Sequence, residues 1–477
     1  MQNPEIIVGL DIGTTKIAVI VGKVNQFGKV EVLGMGKAES LGVSRGAVAN
    51  IDKTVEAIKF AVDQAEKTSG YKITDVCVGI AGQHIKSLQH RGVIPRESQD
   101  EVITKEDVNR LKSDMFKLSL PPGDQIIHVL PQEYIVDNEP NIKDPIGMFG
   151  FRLEANFHII TGQISAVQNI YRCVQRAGLN VVDIILEPLA SSESVLTEDE
   201  KEAGVALIDI GGGTTDIAIF HDNIIRHTAV IPLGGNVITE DVKDAFGLMR
   251  KHAEQLKVKY GNTYPNSVSD NEYIKIAGLP GRSPKEISSK NLANIIHARV
   301  EEIMEYAYSQ IRVSGFEKKM AAGIVITGGG SMMQGMKPMI ESLTGMEVRL
   351  GYPTAHLNKA PINVKHIAVT SNATGVGLII RGYKEIMNVR SRENGEEAPV
   401  LENASEVEVL TENIQPEVMQ DNATPLSDDA NETNMVAENN ADNQLKMRSK
   451  IVKWWEKALD KATTWIANGA DNDNEFK

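Results

Sequence analysis

The chain has 477 residues, room for about three domains at ~100–200 residues each, with 42% hydrophobic and 24% charged residues. Those proportions are ordinary for a soluble globular protein and exclude collagen-like, wholly disordered and disulfide-scaffold classes. A net charge of −14 argues against a protein that coats nucleic acid over its whole surface.

The two cysteines, Cys77 and Cys173, are far apart and apolar-flanked. They offer neither metal-ligand spacing nor a disulfide framework, which points to a reducing, cytoplasmic compartment. The N-terminus lacks the basic-then-apolar layout of a signal peptide. No stretch reaches the ~20 apolar residues of a spanning helix. The best one, Ile6 to Val21, contains Asp11 and Lys16, so a soluble or peripheral protein is expected.

In chain order, Ile6–Leu10 and Lys16–Val21 are β-branched apolar runs on either side of a Gly-Thr turn, and Val30–Gly34 reads as a third strand. Val55, Ile58, Ala61, Val62 and Ala65 have helical spacing and predict a helix over Thr54–Lys67. The strand–turn–strand pattern returns at Val205–Ile210 and Asp216–Phe220. Helices follow at Val237–Phe246, Arg250–Lys259 and Leu292–Val313, and strand Gly323–Ile326 leads into a glycine cluster. Strands alternating with helices argue for an α/β fold.

The two turns match. Asp11-Ile-Gly13-Thr14-Thr15-Lys16-Ile-Ala stands beside Asp209-Ile-Gly211-Gly212-Gly213-Thr214-Thr215-Asp216-Ile-Ala. A separation of about 200 residues implies two similar half-domains facing each other. Glycine at a strand end lets the backbone approach a phosphate, with successive N–H groups forming an anion nest. Thr14, Thr15, Thr214 and Thr215 add hydroxyls and Lys16 adds a fixed charge. Asp11 and Asp209, at the strand ends, are suited to the water shell of a magnesium ion. One such turn alone reads equally well as a plain hairpin; two matched copies favour a phosphate site. Thr327-Gly328-Gly329-Gly330-Ser331 ends a strand and precedes a helix, where a nucleotide lies on backbone.

Together these three elements resemble the actin-like ATPase superfamily, which includes actin, the 70-kilodalton heat-shock chaperones and the sugar kinases. The resemblance implies that the two Gly-Thr loops clamp the β- and γ-phosphates of ATP, with Mg2+, and that Gly328, Gly329 and Gly330 border the adenosine. Glu187-Pro188-Leu-Ala190 resembles the chaperones' Glu-Pro helix start, which makes Glu187 the candidate hydrolytic acid. A helix N-terminal acid favoured by the macrodipole is the other reading. Ala253-Glu254-Gln-Leu-Lys257 resembles the helix that contacts ribose and purine, against a plain i,i+3 ion pair.

Between the first helical region and residue 163 stand Val129-Leu-Pro131-Gln132-Glu-Tyr-Ile, Ile142-Lys-Asp144-Pro145-Ile-Gly147-Met148 and Gly150-Phe-Arg152-Leu153-Glu154-Ala. These resemble the inserted subdomain of the FtsA family of bacterial cell-division proteins, and the resemblance runs over residues 5–385. Phe149 and Phe151 depart from it, standing where a smaller polar and an aliphatic residue are expected. The fold implied is α/β: a two-lobed actin-like (RNase H-like duplicated) ATPase with an inserted small α+β subdomain. Lobe 1 takes residues 1–83, 163–198 and 357–390, the insertion 84–162, and lobe 2 199–356.

Residues 391–444 carry one base, Arg392, against fourteen acids. They have almost no aromatics and cannot bury enough apolar area to fold, so a disordered linker is expected. A basic stretch follows at 445–467, and 468–477 form a polar tail. At ~100° per residue, Ile451, Val452, Trp454, Trp455, Ala458, Leu459, Ala462, Trp465 and Ile466 fall within an arc of about 160°. Lys450, Lys453, Lys457 and Lys461 fall on the polar side, and the helix holds all three tryptophans of the chain. Such a helix lies in a membrane interface with its bases toward anionic lipid; docking into a protein groove or onto the body is the alternative. The strap is long for the FtsA family, and the polar tail is a second departure.

The resemblance implies an ATP-binding adaptor with weak or no ATPase. It would hold the FtsZ ring to the cytoplasmic face of the bacterial inner membrane at the septum. Its partners would be the FtsZ C-terminal tail, downstream division proteins, anionic membrane and itself in filaments. Arg299, on a lobe 2 helix, is the candidate for an acidic peptide tail, or else a solvated charge beside Glu301 and Glu302. A related pilus-assembly scaffold and a soluble actin-like ATPase or kinase are the rival readings, both disfavoured by the Trp-rich helix.

Overall fold

The computed structural model describes residues 6–394 apart from 26–28, 97–101, 277–282, 355 and 359–363. The basic amphipathic stretch at 445–467 lies outside the described residues, as does the acidic strap beyond residue 394.

Two five-stranded sheets carry the fold, and they repeat one pattern. In the first, strands Ile6–Ile12, Lys16–Val24 and Val30–Glu39 form an antiparallel meander. Asp75–Ile80 and then Asn180–Leu186 add in parallel on the other side. In the second, Val205–Ile210, Thr215–His221 and Ile224–Ile231 form the meander. Ile324–Thr327 and Val348–Leu350 add in parallel. The internal duplication expected from the paired Asp-Ile-Gly turns is therefore present at the level of whole sheets.

Both faces of the first sheet are covered, which is why its strands are apolar without a break. Helices Ile51–Ser69 and Ile164–Arg176 cover one face, packing Ile58 and Val174 over Leu10, Ile17, Val19 and Val78. The first of these helices starts three residues earlier than its apolar spacing suggested. Its start is fixed by Asn50, whose side chain accepts from the Lys53 N–H at 3.0 Å. Helix Ala373–Asn394 covers the other face over Ile7, Ile20 and Cys77 and runs four residues into the stretch expected to be unstructured. The third strand runs on to Glu39 because its pairing with the second continues through Ala18–Lys37 to Lys16–Glu39.

Helices Gly235–Phe246, Arg250–Tyr260, Ser289–Val313 and Met336–Thr344 supply the core on one face of the second sheet. Helix Glu187–Val195 links the sheets, packing Leu189 and Val195 against Leu207 and Val325. Inserted between strand Asp75–Ile80 and helix Ile164–Arg176, strands Ile85–Pro95, Arg152–Gln163, Asp124–Val136 and Glu139–Ile142 form a four-stranded sheet. With helix Lys105–Met115 it encloses its own core around Leu111, Leu153 and Phe157. This small body covers the exposed edge of Ile224–Ile231: Gln132 Nε2 donates to Ile225 O at 3.0 Å and Ser87 Oγ to Thr228 O at 3.2 Å. Covering an edge strand removes a template for unwanted pairing.

Candidate functional site

The two meander turns face each other across a cavity of about 450 Å³ between the sheets. Their register corrects the match read from the sequence. Asp11 pairs with Ala18 and Ile12 with Ile17, while Asp209 pairs with Asp216 and Ile210 with Thr215. Each turn is thus the four residues between those pairs, Gly13–Lys16 and Gly211–Thr214. Thr14 and Thr15 correspond in space to Gly212 and Gly213, Lys16 to Thr214, and Ala18 to Asp216. The two Thr-Thr pairs, adjacent in the sequence match, are not equivalent in the fold.

Two glycines are required by contact. A Cβ on Gly212 would lie 1.8 Å from Thr15 Oγ1, so the turns abut too closely for any side chain. Gly328 has φ +84°, and a Cβ there would meet Asp209 Oδ1 at 2.3 Å. Its neighbours Gly329 and Gly330 also line the cavity, with Met332 and Met333 beyond them. Gly13, Thr14, Thr15, Lys16, Gly211, Gly213 and Thr214 line it as well.

The polar groups sort by charge. Asp11, Asp209, Asp216 and Glu187 gather around Lys16 in the cavity wall, while the other lining cation, Lys257, is paired with Glu254. Burial pushes the Asp11 carboxyl up to about 6, with Lys16 opposing and Asp209 adding. Burial and then Asp209 push Asp216 up to about 8. Glu187 is held well above the usual carboxylate range by burial first, then by Asp11, Asp216 and Asp209. Burial also raises Asp209, held back by the Ser191 hydroxyl, which donates to its Oδ2 at 2.8 Å. Lys16 is lowered by burial against the pull of Asp11, Asp209 and Glu187. Its Nζ donates to the Ser371 carbonyl and, at 3.1 Å, to Asn372 Oδ1.

Five acidic side chains against two ammonium groups line the cavity, a site short of positive charge. Asp216 Oδ1 is buried without a hydrogen-bond partner among the described residues. No three His, Cys, Asp or Glu side chains among the described residues are grouped to hold a metal directly. The residues present therefore fit a divalent cation that keeps its own water, the preference of Mg2+, carried in with an anion on the glycine turns.

Glu254 and Lys257 stand at the far wall. Lys257 Nζ donates to Gly235 O at 2.9 Å, Thr239 Oγ1 at 2.8 Å and Glu254 Oε2 at 2.8 Å. The pair therefore holds two helices together at the cavity rather than projecting free charge.

A curated relative from Pseudomonas aeruginosa, described as cell division protein FtsA, is 42% identical over 385 residues. The match covers 81% of this chain and 91% of the relative. The chain belongs to the FtsA family. The Bacillus subtilis FtsA is 36% identical over 379 residues, covering 80% of this chain and 84% of its own. The Escherichia coli FtsA is 35% identical over 395 residues, covering 80% and 92%. The family model for cell division protein FtsA matches residues 206–377, and the model for the SHS2 domain inserted in FtsA matches 82–161. Among solved structures, a PilM–PilN type IV pilus biogenesis complex is similar with a TM-score of 0.57 at 16% identity. It covers 79% of this chain and 98% of that one. That likeness is one of fold, the two-lobed actin-like fold, while identity over most of the chain lies with FtsA.

Of the residues singled out in this FtsA-family chain, two sit otherwise than expected. Thr215 does not line the cavity: it occupies the register of Ile17, fully buried, and its hydroxyl donates to Leu233 O at 2.9 Å. Arg299 is already engaged, pairing with Asp241 through Nη2 at 3.0 Å and with Glu302. Glu301, expected as its neighbour, faces His297 instead at 3.8 Å. Ile451, Val452, Trp454, Trp455, Leu459, Trp465, Ile466, Lys450, Lys453 and Lys457 lie outside the described residues. The cavity also includes Asp216, Gly235, Asn236, Ser371 and Thr374, which the motif reading passed over. Gly234-Gly235 directly ahead of a predicted helix was the signal for Asn236, and the Asp that follows the second Thr-Thr was the signal for Asp216.

Proposed function

We propose that the chain is the division adaptor that ties the FtsZ ring to the cytoplasmic face of the cell membrane, with ATP and Mg2+ bound between its lobes. What carries the nucleotide part is the pair of opposed glycine turns closing on one buried, acid-rich cavity. What carries the division part is membership of the FtsA family. Among the described residues no helix is long and apolar enough to cross a membrane; attachment is assigned to the basic amphipathic stretch at 445–467.

In this reading Gly13–Lys16 and Gly211–Thr214 hold the phosphates, while Gly328–Gly330, Met332 and Met333 border the base. Glu254 and Lys257 brace the helices beside the sugar. Asp11, Asp209 and Asp216 hold the water shell of the ion, which supplies charge neutralisation and a template for phosphoryl transfer. Glu187, raised by burial and then by its acidic neighbours, is suited to accept and return a proton at the attacking water. Lobe 1 comprises 1–83, 163–198 and 357–390, the inserted FtsA-specific subdomain 84–162, and lobe 2 199–356. A ring-protein tail would meet Arg299 by replacing Glu302 as its carboxylate partner.

Liposome co-sedimentation tests the adaptor reading, comparing the full chain with one ending at residue 444, with and without ATP. Loss of pelleting on truncation, restored by grafting 445–467 onto a soluble carrier, is the expected result. Equal pelleting, or none from either, contradicts it and leaves a soluble actin-like protein.

A further inference from the structure

The helix that places Glu187 at the cavity does not end there. Glu193, six residues on and ~9 Å along the axis, leaves the cleft and enters a second cluster. Its carboxylate, 14% exposed, meets Lys384 Nζ at 2.7 Å, Arg381 Nη1 at 3.6 Å and Lys201 Nζ at 3.8 Å. Burial opposes the charge, yet Lys201, Lys384 and Arg381 together draw Glu193 down to about 2. One carboxylate is thus shared by three cations from two other helices.

Those helices belong to different lobes. Arg381 and Lys384 ride on Ala373–Asn394, which covers the first sheet over Ile7 and Ile20. Lys201 sits on Glu198–Ala203, tied to the second sheet where its carbonyl accepts from the Asn223 N–H and where Glu200 holds Arg349 at 2.5 Å. The linking helix between them is also fixed along its length. Ser191 Oγ donates to Asp209 at 2.8 Å and Ser194 Oγ to Ala373 O at 2.7 Å. A Cβ on Gly377 would meet Ala190 O at 1.8 Å, so the linking helix and Ala373–Asn394 are in backbone contact. A lever pinned to a catalytic-type cavity at one end and to both lobes at the other has few ways to move.

We propose that Glu193 is the pin of the interlobe hinge: it sets the angle between the lobes, and through its helix the position of Glu187 and the residence time of nucleotide. It is a positioning residue, remote from the cavity, and the nucleotide part of the statement rests on the function proposed above. Removing its charge leaves no carboxylate shared across the lobe boundary, since Lys201 keeps Glu198 and Arg381 keeps Glu385, each on its own helix, and the lobes are then free to separate. Removing Lys201 alone cuts the strut to lobe 2 while Glu193 keeps two partners.

Two readouts on the full chain test this. Spin labels at Lys67→Cys and Lys337→Cys, exposed sites on lobes 1 and 2 with 72% and 53% of their side chains accessible, report the interlobe distance without nucleotide. Release of a fluorescent methylanthraniloyl-ATP reports residence time. In Glu193→Gln and in Lys201→Met the distance distribution broadens and release quickens on the order of tenfold, within the range of coupled sites. Glu193→Asp restores intermediate values. Should Glu193→Gln fail to fold, Lys201→Met decides alone. Distances unchanged from the unsubstituted chain in the folded variants overturn the proposal. If the unsubstituted chain takes up no nucleotide, the nucleotide reading fails, while the distance distributions still judge the hinge.

Discussion

Substituting Gly212 separates the two demands that the cleft makes on its turns, space and charge. A Cβ at Gly212 lies 1.8 Å from Thr15 Oγ1, so even alanine requires the turns to part by roughly 1.5 Å to reach ordinary contact. Gly212→Ala and Gly212→Asn therefore lose affinity through geometry alone. Gly212→Asp adds a carboxylate to a site that already holds Asp11, Asp209, Asp216 and Glu187. One unit charge about 5 Å from a phosphate charge at an effective dielectric of about 20 costs about 3 kcal/mol. That is about two further orders of magnitude in ATP affinity for Asp relative to Asn. Because the site is buried, added salt recovers little of the difference. Titration of the three variants with ATP and Mg2+ by calorimetry measures both steps. Equal affinities for the Asp and Asn variants, or undiminished binding by Gly212→Asp, refute the phosphate assignment.

Three more outcomes follow from the same geometry. Asp11 and Asp216 have folded-state values of about 6 and about 8 against an ordinary 3.8, so the folded state holds their protons longer than the unfolded chain does. The nucleotide-free protein therefore loses stability from these groups as pH rises from about 4 to about 8. Its thermal midpoint falls over that window and Asp216→Asn flattens the fall; an equal slope in both would contradict the burial argument. Gly377→Ala forces the linking helix off Ala190 and costs about 3 kcal/mol, read as a lower urea midpoint; an unchanged midpoint would show that the helices have slack. Arg299→Glu, set against Asp241 and Glu302, weakens a synthetic FtsZ tail peptide more than tenfold while circular dichroism stays native, and unchanged affinity would remove Arg299 from the contact.

The sheets were legible because Asp11-Ile-Gly13 and Asp209-Ile-Gly211 mark strand ends with residues that physics allows there and at few other places. Glu187 was picked out by the resemblance of its Glu-Pro helix start, and the structure places it in the cavity wall. Register was not. The eye aligns Thr14-Thr15 with Thr214-Thr215, but hairpin turns are set by pairing, and both turns close over four residues whatever their letters. That moved Thr215 into the core and brought Asp216 to the cleft. Arg299 was legible only in part: the sequence names Glu302, which does pair with it, but not Asp241, a second carboxylate brought by another helix. The Glu193 cluster has the same origin, joining residues 193, 201, 381 and 384 that only tertiary packing brings together.

Tethering of the ring protein to the membrane is the property that decides the function. Fluorescent FtsZ is followed on a supported bilayer containing anionic lipid, with ATP and Mg2+, in the presence of either the full chain or the chain ending at residue 444. Ring protein gathering on the bilayer only with the full chain is the predicted result. Recruitment that persists without residues 445–477, or that fails with them, contradicts it.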